Sequence, residues 1–290
     1  MGEGTADLAA WSTVHLWQVV RRLLPWVPLA AAVIYLALLA ALYHWQRDIV
    51  FVRARWWHEN PRPSDFAERT IVEKDGTHLR IWQSGPPDAG KPTIVFFYGN
   101  AGTLSDFADV GESLHVEGYG IVLGSYRGYS RNSGSPSQDG VFADARAILS
   151  ALPPGHGPVV VWGQSLGTGV AARMAAEGRA SGLILQSPYT AVVDIAAMQY
   201  PLFPVRLLDR DPFDTYSLVP RIKMPVLIIH GTNDWTVPFW MGARLKGRFG
   251  HEATLVPIKG GGHGNLSEGE LVPPALEWLQ ANAKAIAKSH

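Results

Sequence analysis

The chain has 290 residues, 25 Lys plus Arg, 25 Asp plus Glu, no cysteine, 17% charged residues and 47% apolar ones. That length fits one large domain or two small ones, and the charge balance lacks the footprint of a general nucleic-acid binder. The missing cysteine excludes disulfides, thiolate zinc sites and cysteine nucleophiles, while a charged share below the ordinary value of about 25% points to buried or membrane-embedded surface.

Between Arg22 and Arg47 every residue is uncharged when His44 is neutral. The window from Leu23 to Gln46 gives roughly 36 Å of helix, enough to cross a hydrocarbon core of about 30 Å. Trp26 stands near one end, Tyr43 and Trp45 near the other, where amphipathic rings favour the interface. Pro25 and Pro28 are expected in the first turn, where a missing N–H costs least. No small-residue cleavage site follows, which separates the run from a signal peptide. The expected organisation is an arm over 1–22, a single transmembrane helix over 23–46, a linker over 47–64 and a catalytic domain over 65–290. Arg21 and Arg22 precede the span, and Arg47, Arg53, Arg55 and Arg62 follow it. Counting all of them favours a cytosolic C-terminal side; weighting the short arm favours the opposite, so the sequence assigns no face.

Strands then alternate with helices. Thr70 to Glu73 and His78 to Gln83 read as a hairpin across Lys74, Asp75 and Gly76. Buried strands are expected at Thr93 to Tyr98, Gly120 to Tyr126, Val159 to Trp162, Leu183 to Leu185, Val226 to Ile229 and Ala253 to Val256. Helices are expected at Leu104 to Glu117, Gln138 to Leu152, Leu166 to Glu177, Pro238 to Phe249 and about Leu271 to Ala287. That rhythm means right-handed crossovers and a mostly parallel sheet flanked by helices. Thr190 to Arg221 breaks it: aromatic and proline-rich, with little periodicity, it reads as a lid-like insertion.

Four strand ends carry the chemistry. Gly163-Gln164-Ser165-Leu166-Gly167 follows an apolar strand and opens an Ala-rich helix. That context suits a serine held on a strained turn with its hydroxyl in open space. A serine needs a base, and His263, in Gly260-Gly261-Gly262-His263-Gly264 after the last strand, is the leading candidate; His230 is its main competitor. Asp234, just past the preceding strand, is the expected acid that orients the imidazole, with Asp194 as the fallback. The loop Tyr98-Gly99-Asn100-Ala101-Gly102 is placed to supply an oxyanion-hole donor from Asn100, the other being the backbone N–H of Leu166. Tyr98, Gln164 and Tyr189 are expected to bind substrate.

These segments, with the Ser125 to Gly140 stretch SYRGYSRNSGSPSQDG, resemble the α/β-hydrolase superfamily, and within it the Bem46-like branch of the ABHD13 and ABHD17 type. The resemblance covers about residues 65 to 285. It implies the α/β-hydrolase fold, Ser165 as nucleophile, Asp234 as acid, His263 as base, Asn100 and Leu166 at the oxyanion hole, and an N-terminal membrane segment. One departure is Tyr98, where the family loop usually begins with histidine; the change is expected to alter loop packing or the pocket and spare the chemistry. Arg127-Gly128-Tyr129 is expected to shape the mouth of the site. The function expected is a membrane-anchored serine hydrolase cleaving an ester or thioester, of a small molecule, lipid or acylated protein. The alternatives are a serine peptidase or amidase, or a catalytically silent binding module. No cofactor and no metal are expected: Gly85 to Lys91 imitates a phosphate loop, but Pro92 stands where magnesium needs Ser or Thr.

Overall fold

The computed structural model describes residues 17–52 and 59–288. His15, Arg53, Arg55, His290 and most of the expected arm lie outside the described residues. The chain divides into two compact units, one ending at Gln46 and the other starting at Arg47.

The described part of the first unit is helical. Helix runs from Trp17 to Val50, 34 residues long enough and apolar enough to cross a membrane. It starts before the expected Leu23. Pro25 falls in a 3-10 turn at Leu24–Trp26, from which α1 (Val27–Val50) continues. The prolines therefore lie within the helical run: a ring without an N–H blocks one i−4 bond, and the chain tightens locally to i−3 spacing.

The second unit is built on an eight-stranded sheet: β1 (Ala67–Val72), β2 (His78–Gln83), β3 (Thr93–Phe97), β4 (Gly120–Gly124), β5 (Val159–Gln164), β6 (Gly182–Gln186), β7 (Val226–Gly231) and β8 (Ala253–Ile258). The spatial order is β1-β2-β4-β3-β5-β6-β7-β8. β1 pairs antiparallel with β2, and β2 with β4; every other pairing is parallel. The strands β3, β4 and β6 are buried at every residue, as expected for a sheet covered on both faces. Phe96 of β3 stacks on Trp162 of β5 at 5.0 Å and meets Phe107 at 4.7 Å, which fixes the centre of the core.

The segments between and after the strands form α2 (Ala108–Val116), α3 (Gln138–Ser150), α4 (Leu166–Ala176), α5 (Val192–Gln199), α6 (Val205–Leu208), α7 (Thr215–Leu218), α8 (Phe239–Phe249), α9 (Glu268–Ala281) and α10 (Ala283–Lys288). Four of these, α5 to α7 and α9, and the linker before β1 differ from expectation. The insertion between residues 190 and 221 holds three short helices, α5 to α7, each too brief to show a period in sequence. Asp211 ties it down: its carboxylate accepts from Arg47 Nε at 2.7 Å and from the Gln138 backbone at 2.7 Å. Phe51, 1% exposed, meets Phe213 edge-on at 6.0 Å, so part of the expected linker is packed into the second unit. Finally, α9 starts three residues before Leu271, because Ser267 and Glu270 form a capping box that satisfies the first N–H groups. Pro273 and Pro274 then lie inside the helix.

Candidate active site

Parallel register brings four strand ends to one edge. Phe97 lies beside Gly163, Gln164 beside Gln186, and Gly231 beside Ile258. The loops that follow carry Asn100, Ser165, Asp234 and His263.

Ser165 sits between β5 and α4 with φ 48° and ψ −117°, a backbone state that side-chain-bearing residues rarely adopt. The flanking glycines are required by close approach. A Cβ on Gly163 would strike the carbonyl of Gly167, and one on Gly167 would strike the carbonyl of Phe97. The turn is therefore pressed against β3, and the hydroxyl is directed outward.

His263 receives that hydroxyl. Its Nε2 lies 2.8 Å from Ser165 Oγ and its Nδ1 lies 2.8 Å from Asp234 Oδ2. Nδ1–H donates to the carboxylate, which leaves the Nε2 lone pair to accept from the serine hydroxyl. The two loops are stitched together: Asn233 N–H donates to the Gly261 carbonyl at 2.9 Å, and Gly260 N–H to Thr232 Oγ1 at 2.9 Å. Gly262 N–H donates to Asn265 Oδ1 at 2.8 Å, closing the histidine loop on itself.

Asp234 is buried. Its Oδ1 accepts the backbone N–H groups of Thr236 at 3.0 Å and Val237 at 2.8 Å. Burial alone would raise its pKa, but hydrogen bonds from His230 and His263 and from the Val237 backbone hold the carboxyl well below the usual carboxylate range. His230 is fully buried, its Nε2 lying 2.9 Å from the Val237 carbonyl and 3.4 Å from Asp234 Oδ2. It braces the acid loop, and His263, not His230, meets the serine. Asp194 is engaged elsewhere, 2.7 Å from Arg206 and 2.5 Å from Thr190 Oγ1.

The loop after β3 runs against the serine: a methyl group on Gly99 would sit 3.3 Å from Ser165 Cβ. Among the described residues, the backbone N–H groups of Asn100 and Leu166 have no protein acceptor. Tyr98 and Tyr189, expected to touch substrate, do not reach the open surface. Tyr98 is 2% exposed with its hydroxyl 2.7 Å from Ser125 Oγ, and Tyr189 is 1% exposed with its hydroxyl donating to the Leu166 carbonyl at 3.0 Å. Both are aromatic bodies with one polar tip, which a core accommodates once the tip is bonded. Gln164 does line an open cleft.

Arg127-Gly128-Tyr129 was expected to shape the mouth of the site; the bracing contacts of this segment escaped the sequence reading. Tyr129 donates to the Asn100 carbonyl at 2.9 Å, and Tyr126 to the Tyr98 carbonyl at 3.1 Å, so the segment after β4 holds the loop after β3 from behind. Arg127 anchors that segment on buried Asp144 through its backbone N–H and its Nε, each at 2.7 Å, and reaches Glu73 at 3.1 Å. Burial and the adjoining Asp144 push the Glu73 carboxyl up to about 8. The Arg-Gly-Tyr motif was the available signal; its tertiary partners were not. Among the described residues no cluster of three metal-ligating side chains occurs.

The family model described as alpha/beta hydrolase fold matches residues 92–216. Human alpha/beta hydrolase domain-containing protein 17B is 31% identical over 236 residues, covering 77% of each chain. The chain belongs to the α/β-hydrolase family. This α/β-hydrolase is also 29% identical over 260 residues to the lysophosphatidylserine lipase ABHD12 of Danio rerio, covering 72% of the chain and 68% of that protein. In fold it is similar to Est1E from Butyrivibrio proteoclasticus, solved with ferulic acid bound, at TM-score 0.63, 20% identity, and coverage of 75% of this chain and all of that one.

Proposed function

We propose that the chain is a membrane-anchored serine hydrolase that cleaves a carboxylic ester or thioester through an acyl-enzyme. The observation that carries this reading is the unbroken hydrogen-bond chain from Asp234 through His263 to Ser165, 2.8 Å at each link. Ser165 Oγ attacks the substrate carbonyl carbon while His263 Nε2 takes its proton. The carbonyl oxygen becomes an oxyanion, bound by the backbone N–H groups of Asn100 and Leu166. The intermediate collapses, the carbonyl–leaving-group bond breaks, and the leaving oxygen or sulfur takes the proton from Nε2. Water then attacks the acyl-enzyme, again deprotonated by His263, and releases the acid and the free serine. Asp234 keeps Nδ1 protonated and stabilises the imidazolium.

Residues 23–46 serve in this reading as a single-pass anchor, supported by the length and composition of the helix. An anchor brings the site to lipid or to acylated protein, and residues 190–221 are positioned in sequence to act as a lid over an acyl chain.

Two measurements test this. The full chain in non-ionic detergent is expected to hydrolyse p-nitrophenyl esters, with kcat/KM varying with acyl length, and to leave a peptide p-nitroanilide uncut. Turnover of the anilide at a rate matching the esters would replace the esterase reading with an amidase one. In cell fractions the chain is expected to stay in the pellet after an alkaline carbonate wash; release into the supernatant would remove the anchor.

A further inference from the structure

The last turn of α1 belongs to the second unit and is fastened there to the insertion. Arg47, the residue after the proposed span, donates from Nε to Asp211 Oδ2 at 2.7 Å. Phe51 N–H donates to the Arg47 carbonyl at 2.8 Å, so the two side chains leave one face of the same turn. The Phe51 ring meets Phe213, two residues past Asp211. Phe213 in turn lies on the nucleophile helix: a methyl group on Gly169, four residues after Ser165, would come 3.0 Å from its ring. Gln138 closes the attachment, its backbone N–H donating to Asp211 Oδ1 at 2.7 Å and its Oε1 accepting from Phe213 N–H at 2.6 Å. Asp211 and Phe213 are buried, which makes this tie firmer than a surface ion pair. The second unit therefore receives the chain at the edge of the sheet that carries Ser165.

The surface beside this attachment is apolar. Val192 to Leu208 includes no fully buried residue, yet only two of its seventeen residues, Asp194 and Arg206, are charged. Those two neutralise each other at 2.7 Å. Val192 and Ile195 rest on the core, while Met198, Leu202 and Leu207 stand out, the two leucines 80% and 85% exposed. Leu207 is four residues from Asp211, at most about 14 Å along the chain. Trp235, which follows Asp234 at the same edge, is 87% exposed. A single exposed apolar side chain is ordinary. Four near one edge, with the local charges paired off, mark a surface that meets an apolar phase, and tryptophan favours the boundary of such a phase.

We propose that the catalytic edge of the sheet faces the bilayer, with the outer side of residues 198–207 dipping into it. Ser165 then acts on acyl groups held at the membrane surface. This orientation rests on the single-pass anchor reading. A second copy or a soluble partner would have no use for the tie at Arg47, whereas the bilayer is brought to that point by the chain itself. The Asp194–Arg206 pair removes the net charge that would oppose entry into the headgroup region.

The chain has no cysteine, so one probe can be placed at a time. Leu202→Cys, Leu207→Cys and Val116→Cys are each labelled with the fluorophore NBD, and the full chain is reconstituted in phosphatidylcholine vesicles. Val116 is as exposed as Leu207 but ends α2 at the far edge of the sheet, just before β4. The probes at positions 202 and 207 are expected to sit about 5–10 Å into the lipid, with blue-shifted emission and strong quenching by lipids that carry a nitroxide high on the acyl chain. The probe at position 116 is expected to emit as in water and to resist quenching. The contrast should persist when vesicles outnumber chains, which removes contact between copies. Nitroxide in both leaflets makes the readout independent of which way the chain inserts. If the chain floats with the vesicles but positions 202 and 207 are quenched no more than position 116, the orientation is wrong and the anchor stands. A blue shift without nitroxide quenching means that protein covers the segment, and it overturns the orientation equally. If the chain stays behind when the vesicles float, the anchor reading fails and takes this one with it.

Discussion

Ser165→Ala is expected to lower kcat on any ester substrate by about a million-fold, the scale of removing a nucleophile from a working triad. A fluorophosphonate should modify the native chain at Ser165 and leave the variant untouched. The loss is chemical: His263 and Asp234 keep their mutual bond at 2.8 Å, and the oxyanion loop keeps its contacts with Tyr129 and Tyr126. Alanine occupies the same positive-φ turn with one atom fewer, so the melting curve should overlay that of the native chain within about 1 kcal/mol. Residual ester cleavage within about tenfold of native, in a folded variant, would mean that the reacting group lies elsewhere.

Asp234→Asn carries the second-largest expected effect, a fall in kcat of about 10⁴-fold. Asparagine fills the same space but presents an amide where the carboxylate accepted from His263 Nδ1. The imidazole then has reason to place its proton on Nε2, which removes the lone pair that must accept from Ser165. The charge also matters for stability. The folded pKa of Asp234 is depressed below its unfolded value, so its ionised form stabilises the fold at pH above about 4 and that contribution fades as pH falls through the folded pKa. The variant should therefore melt earlier than the native chain at neutral pH, by about 1–2 kcal/mol, and the gap should close on acidification. A variant with native kcat would remove Asp234 from the relay.

The regular part of this architecture was readable because each β-strand buried on both faces is a short apolar run, and each loop at the site has glycine within it or beside it. The strands β3 to β8 and the helices between them fall where that pattern puts them, to within a few residues. The insertion did not read, since α5, α6 and α7 are one or two turns long and held by tertiary partners: Asp211 on Arg47 and Gln138 for the segment between them. Tyr98 and Tyr189, read as substrate-facing, are buried, and their burial was not legible for a related reason. Adjacency to a motif says which loop a ring belongs to, but burial is decided by neighbours such as Ser125 and Leu166, distant in the chain. Likewise the bracing of Asp234 by His230 depends on Val237 folding back over the strand end, which no local spacing announces.

The φ of 48° at Ser165 has a consequence for how this protein can change over time. A non-glycine residue in that conformation stores on the order of 1–3 kcal/mol. Glycine at the same position would relieve the strain, so selection for robustness alone would drift toward an inert, sturdier chain. Retaining a hydroxyl there sets durability against reactivity, and the compensation must come from elsewhere in the sheet, whose buried strands β3 and β6 hold the turn from both sides, through the Phe97 carbonyl and the Gln186 carbonyl.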